Sequence, residues 1–273
     1  MIGPPQGVID SALEYLRGAG IESADLLVTL GSGQSNPWVE EVIVEVDYGL
    51  LPGWRAPAVE GHGGKLSLVR VGGENVLVMA GRHHYYEARS YEGVIAPLSV
   101  SRALGVRKVV LTNSVGALRK GMRPGDLVLL SDHLFLQGPR MGRLLQGSWP
   151  RGVRPGYWEE GGAVVKEAAG RLGIRVTEGV LLCVSGPMYE TRAEAEMARR
   201  IGADVVAMSL APEALAAWAL GCRVVGLSLV TNMIGEEGHT GLHHKEIITA
   251  AARFQPYLAI LLREAVPELP DGN

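Results

Sequence analysis

Arg82 and His84 stand two residues apart in a Gly-Arg-His-His run. On an extended segment that spacing points both side chains to one side. The guanidinium is a fixed cation whose forked donor edge suits an oxyanion. Ser32 lies between Gly31 and Gly33, and glycines let backbone N–H groups come close to an anion. Ser209 shortly precedes Pro212, which reads as a helix start and so as a second place favourable to negative charge. Together these groups point to phosphate or another small oxyanion. A second set, Tyr189, Glu190 and Asn232, supplies a stacking face, a hydrogen-bond acceptor and an amide that both donates and accepts. That set suits a polar heterocycle. No G-x-x-x-x-G-K-[ST] occurs, which disfavours a P-loop nucleotide hydrolase.

Each residue also has a plainer reading. Gly-Ser-Gly alone shapes turns. Arg82 fits a surface ion pair, and His84 a partly buried, hydrogen-bonded histidine. Asn113 and Asn232 fit turns as well as a site. Glu190 fits an exposed carboxylate ahead of a helix capped by Thr191. Met208 fits a core. The pairs His83-His84 and His243-His244 invite a metal reading, but adjacent side chains are expected to point apart and no H-E-x-x-H accompanies them. No metal is expected.

The pattern around these residues is α/β. Short apolar, β-branched runs at 24–30, 75–80, 108–112, 126–131, 179–184, 204–208 and 223–230 alternate with helical patterns at 9–17, 91–104, 162–172, 192–201, 212–220 and 245–263. Several runs are apolar throughout, as in strands buried on both faces. Nearly every run leads into polar residues or glycines: 31–35, 81–87, 112–114, 185–191, 208–209 and 231–232. If the strands are mainly parallel, their carboxyl ends line one edge, where open α/β sheets bind ligands. The segment 137–158, rich in Gly, Pro and Arg, reads as a solvated loop, a lid or a subunit-contact loop. It does not look like a linker, so residues 1–273 are expected to form one domain.

Composition narrows the function classes. The chain has 273 residues, 47% hydrophobic, with a formal net charge of -3. That apolar content excludes disorder, and the charge balance offers no basic field for nucleic acid. Cys183 and Cys222 sit in apolar runs and read as buried, reduced thiols. The start lacks signal-peptide features. The richest apolar stretch, 205–234, is broken by Glu213 and Arg223, so no membrane span is expected. The expectation is a cytoplasmic protein with neither nucleic-acid nor membrane partners.

Four segments carry a resemblance to the trimeric family of purine nucleoside phosphorylases, which includes methylthioadenosine phosphorylases. They are GSG at 31–33, GRHHYYE at 81–87, LTNSVGALRKGMRPGDLVLLSDH at 111–133, and GPMYETRAEAEMARRIGADVVAMSLAPE from 186 with SLVTN ending at 232. The resemblance spans nearly the whole chain apart from 137–158. It implies a single α/β domain, with a central mixed sheet flanked by helices in three α/β/α layers, assembled as a homotrimer or a dimer of trimers. It implies reversible phosphorolysis of purine nucleosides with inorganic phosphate as co-substrate and no cofactor. Carried over by motif, Ser32, His62, Arg82, His84, Ser114 through its backbone, and Ser209 would hold phosphate. Tyr86, Met208 and His244 would meet the ribose, and Tyr189, Glu190 and Asn232 the base. Asn232, Glu190 and His84 would be the catalytic residues.

The chain departs from the family pattern in places. Gln34-Ser35 follow the Gly-Ser-Gly turn where Leu-Gly is common; His83 replaces an aromatic, Tyr189 a Phe, and Ala207 a Gly. The loop 137–158 leaves the residue lent to a neighbouring site unassigned, with Trp149 and Tyr157 as candidates. Asn232, where adenine-acting members tend to carry Asp, implies inosine and guanosine, and His244 implies a free 5′-hydroxyl. The nearest rival is a methylthioadenosine phosphorylase. A dinucleotide-dependent oxidoreductase fails because Asn36 stands at the third glycine position of its fingerprint. A nucleoside-binding protein without catalysis is the alternative from another class.

Overall fold

A computed structural model describes residues 4–58, 61, 63–138, 141, 156–235 and 244–271. The strands are β1 (Leu26–Thr29), β2 (Val42–Asp47), β3 (Lys65–Val71), β4 (Glu74–Ala80), β5 (Lys108–Ala117), β6 (Leu127–Phe135), β7 (Val176–Cys183), β8 (Val205–Ala207) and β9 (Arg223–Met233). The helices are α1 (Gln6–Gly18), α2 (Tyr85–Ala88), α3 (Glu92–Ala103), α4 (Glu159–Leu172), α5 (Arg192–Arg200), α6 (Ala211–Ala219) and α7 (His244–Ala265). Local chemistry explains their ends. In α1, Ile9, Ala12, Leu13 and Leu16 are buried at helical spacing. α4 carries Glu159 and Glu160 in its first turn and stops at Gly173 in the left-handed conformation. α5 opens on Thr191, which exchanges hydrogen bonds with Glu194 as expected of an N-cap.

Among the described residues all nine strands form one sheet in the order β2-β3-β4-β1-β5-β8-β7-β6-β9. Helices cover both faces. One core joins α1, α3 and α6 to the sheet, and the other joins α4 and α7 to its opposite face, giving the expected three layers. A smaller cluster, including Leu182, Ala195, Ala198 and Val206, seats α5. Cys183 and Cys222 are both buried and unbridged. Among the described residues no helix is long and apolar enough to cross a membrane.

Two expectations about the sheet need correction. β2 and β3 have no counterpart among the predicted runs. β2 opens on three β-branched apolar residues, Val42, Ile43 and Val44, a strand signal that the reading of apolar runs passed over, and β3 is interrupted by Ser67 and Arg70. Gly72 and Gly73, both at positive φ, close the β3–β4 hairpin, a signal legible in hindsight. The strands also do not all run one way, so the condition for a single edge of carboxyl ends is not met, and the sheet is mixed, as the resemblance implies. β4, β1, β5 and β9 run one way, whereas β6, β7 and β8 are parallel to one another and antiparallel to β5 and β9. Because β5 also pairs with β9, β5, β8, β7, β6 and β9 close into a ring.

The polar clusters therefore do not all lie beyond carboxyl ends on one edge. Thr112, Asn113 and Ser114 lie inside β5, and Thr231 and Asn232 inside β9. The clusters after β7 and β8 arrive from the opposite direction. They converge because the ring lays the end of β8 along β5, with Val206 opposite Gly116 and Val205 opposite Ala117.

Candidate active site

The turn after β1 is held from three sides. Gly33 takes φ +71, and a Cβ there would lie 2.8 Å from Ala251 Cβ and 2.9 Å from the Ile248 carbonyl oxygen on α7. Only glycine lets the turn nest so closely. Gln34 is buried beneath it, and its Oε1 accepts from the Gly31 amide at 2.7 Å and from the Thr112 hydroxyl. The unusual Gln34 is thus an internal brace. Ser114 Oγ donates to the Ser32 carbonyl at 3.0 Å, joining the turn to β5.

Arg82 is not a surface ion pair: it is 2% exposed. Its Nε donates to Glu213 Oε1 at 2.8 Å, Nη1 to the Thr112 carbonyl at 2.6 Å and Nη2 to the Thr29 carbonyl at 3.5 Å. The other Glu213 oxygen accepts the Leu210 amide at 2.8 Å. Leu210, at φ +75, is the N-cap of α6, an uncommon conformation for a bulky residue. Ser209 does lie just before the helix start, as expected. α6 begins at Ala211, and its first turn already carries a carboxylate. Glu213, absent from the predicted site, positions both the cation and the chain beside Ser209.

The adjacent histidines also differ from expectation, since both reach one carboxylate. His84 Nδ1 lies 3.2 Å from Glu87 Oε1, and His83 Nδ1 lies 3.4 Å from Glu87 Oε2. The His83 contact is not aligned as a hydrogen bond. Burial would raise the Glu87 carboxyl, but the histidine rings and the Ala58 and His84 amides outweigh it and hold Glu87 well below the usual range. His84 is drawn below its ordinary value mainly by burial, with the Arg82 charge adding and Glu87 opposing. Its ring stacks on Tyr86 at 5.0 Å between centroids.

In the set read as suiting a heterocycle, Glu190 is buried, not exposed ahead of α5. Burial pushes its carboxyl up. Tyr189 is half-buried beside it, its hydroxyl raised by burial and by the neighbouring Glu190 charge. Gln137, the first residue of the predicted solvated loop, is buried and donates through Nε2 to the carbonyls of Val184 and Met208 at 3.0 and 2.8 Å, fixing the chain behind Met208.

A single cavity of about 310 Å³ is lined by Ser32, Arg82, His84, Ser114, Ser209, Tyr86, Met208, His244, Tyr189, Glu190 and Asn232. Asn113, Val115, Gly116, Pro187, Val206, Ala207, Thr231 and Ile247 complete the wall. Its size is that of a small-molecule site. β5 orders the groups along it. Arg82 meets β5 at Thr112, the Ser32 turn at Ser114, and Asn232 lies opposite Gly116. At about 3.3 Å per residue, Thr112 to Gly116 spans roughly 13 Å.

Asn113, which fitted a turn as well as a site, belongs to the wall. Its Oδ1 accepts from Ser228 Oγ at 2.7 Å, and its buried Nδ2 has no hydrogen-bond partner among the described residues. His62 and Trp149 lie outside the described residues, as does His243. Tyr157, the other candidate to serve a neighbouring site, is engaged in its own chain. Its hydroxyl is 3.1 Å from His133 Nδ1, and its ring meets Trp218 edge-on at 5.4 Å.

Comparison with known proteins places this geometry. The model of the phosphorylase superfamily matches residues 25–267. Purine nucleoside phosphorylase 1 of Geobacillus stearothermophilus is 36% identical, covering 88% of this chain and 89% of the relative. The purine nucleoside phosphorylase of Mycobacterium tuberculosis is 36% identical, covering 90% of each chain. Among solved structures, a Schistosoma purine nucleoside phosphorylase in complex with guanosine superposes with a TM-score of 0.83 at 26% identity, covering 99% of each chain. A Schistosoma purine nucleoside phosphorylase with hypoxanthine gives 0.84 at 28% identity, again covering 99% of each. The chain belongs to the phosphorylase superfamily, among its purine nucleoside phosphorylases, which are pentosyltransferases.

Proposed function

We propose that the cavity carries out reversible phosphorolysis of 6-oxopurine nucleosides, inosine and guanosine, yielding free base and ribose 1-phosphate. The observation that carries this reading is the order of groups along β5. A buried cation lies at one level and an amide for a purine at another, within one cavity. Inorganic phosphate, the co-substrate, would lie among Ser32, Arg82, His84, Ser209 and the Ser114 backbone. The ribose would lie against Tyr86 and Met208, with His244 at its 5′-hydroxyl. The base would lie between Tyr189, Glu190 and Asn232.

In the reaction a phosphate oxygen forms a bond to C1′ as the C1′–N9 bond breaks. The bonding pair leaves with the purine, which takes up a proton. The sugar becomes oxocarbenium-like, and the phosphate anion beside it offsets that charge. No side chain need form a covalent bond. Holding phosphate and nucleoside in one cavity removes much of the entropic barrier. Asn232 hydrogen-bonds N7 and the 6-oxygen, its Nδ2 donating to the oxygen, as negative charge gathers on the base. An ionised Glu190 accepts from N1–H, and from the 2-amino group of guanine. An Asn donor suits a 6-oxo group, whereas an Asp there would only accept.

The test is base release from inosine, guanosine, adenosine and methylthioadenosine, each with and without phosphate. The reading predicts phosphate-dependent release with inosine and guanosine preferred. Comparable kcat/KM for adenosine or methylthioadenosine contradicts the base assignment, and release independent of phosphate contradicts the phosphorolysis.

A further inference from the structure

β9 does not alternate where it crosses the cavity. Val115 lies opposite Val230, but Gly116 lies opposite Asn232, leaving Thr231 as the extra residue of a β-bulge. Successive side chains of a regular strand point to opposite faces, and bulges re-aim them. Here Thr231 and Asn232, neighbours in sequence, both line the cavity. Thr231 is 4% exposed. Its Oγ1 lies 3.0 Å from Asn232 Oδ1 and 3.2 Å from the Val115 carbonyl oxygen. The Asn232 oxygen is turned toward Thr231, and its Nδ2 lies on the Gly116 side, 3.3 Å from where a Cβ on Gly116 would stand.

We propose that Thr231 is a positioning residue for base selection: its hydroxyl holds the Asn232 amide by the oxygen and so fixes which hydrogen-bonding group the purine meets. This rests on the 6-oxopurine reading above and deepens it. A primary amide that turns over exchanges a donor for an acceptor. With its oxygen held by Thr231, Asn232 offers N–H to the 6-position, which a 6-oxo group accepts and a 6-amino group does not. The hydroxyl has one proton to donate, so the Val115 carbonyl competes for it. The alternative bond to Val115 turns the hydroxyl oxygen into an acceptor, which favours the flipped amide. The bulge is what brings the hydroxyl, the amide and the Val115 carbonyl within reach of one another.

The test compares kcat and KM for inosine and adenosine, at saturating phosphate, in the wild type, Thr231→Val and Thr231→Ser. Val keeps the shape and loses the hydroxyl; Ser keeps the hydroxyl. The ratio of the two kcat/KM values does not depend on how much of a preparation is folded, so it reads orientation even if a variant is less stable. The expected result is that Val lowers kcat/KM for inosine about tenfold, leaves adenosine within about threefold, and so erodes the inosine preference, while Ser retains it. Equal losses on both substrates, an unchanged preference in Val, or equal erosion in Val and Ser overturns the positioning role. A wild type that fails to prefer inosine overturns the base assignment itself. A wild type that prefers inosine, with a Val variant that does so equally, overturns only the role of Thr231.

Discussion

On the proposed function Asn232 and Glu190 divide the purine between them, and their environments predict different failures. Asn232 acts mainly as charge develops, so Asn232→Ala should lower kcat by about a hundredfold or more with a smaller change in KM; near-normal turnover contradicts the role. Glu190 must be ionised to accept N1–H, yet burial pushes its carboxyl up. The KM for inosine should therefore rise as pH falls toward a pKa above the ordinary carboxylate value, and Glu190→Gln should flatten that limb while raising KM throughout. The sign for stability is opposite. A raised carboxyl holds its proton more tightly folded than unfolded, so its ionised form at neutral pH destabilises the fold. Glu190→Gln should accordingly melt no lower than the wild type at pH 7; a clear fall would mean that Glu190 makes stabilising contacts that outweigh its burial. Arg82, His84, Glu190 and Asn232 were legible because their types carry chemistry wherever they stand. Glu213, Gln34 and Thr231 were not, because their roles depend on partners: Glu213 lies 131 residues from Arg82.

At the scale of elements, two devices aim the site. One is the start of α6, where a single carboxylate holds the Leu210 amide and the Arg82 guanidinium. Removing one partner of a buried ion pair leaves the other charge uncompensated, typically at a cost of about 3–5 kcal/mol. Glu213→Ala should lower Tm by roughly 10 °C and raise the KM for phosphate, measured by melting and steady-state kinetics; unchanged stability would show the pair to be dispensable. The other device is the bulge of β9 opposite Gly116. A Cβ there would lie 2.9 Å from Ile234 Cδ1 and 3.3 Å from Asn232 Nδ2. Gly116→Ala should thus reduce kcat/KM for inosine more than it raises the KM for phosphate, because it presses on Asn232, which the proposed function places at the base. Apolar runs foretold seven strands. They did not foretell β3, broken by Ser67 and Arg70, or the continuation of β5 and β9 through their polar residues, and β2, which opens on Val-Ile-Val, was passed over. A buried polar side chain that lines a cavity interrupts the hydropathy of a strand without interrupting its hydrogen bonding.

At the scale of the molecule, the ring made by β5, β8, β7, β6 and β9 stands where strands all running one way would have offered one edge of carboxyl ends. Hydropathy has the same period whichever way a strand runs, so direction and closure were invisible in the sequence even though the α/β class and the motif residues were plain. Closure brings the oppositely directed β8 to β5 and makes one cavity from loops of both directions, with Arg82 and Asn232 ordered along a common strand. The most direct measurement of that account is a single reaction of the purified protein with inosine, with and without inorganic phosphate, following hypoxanthine and ribose 1-phosphate together. The account predicts equimolar formation of both products only when phosphate is present. Hypoxanthine released with free ribose, or no release with phosphate present, would contradict it.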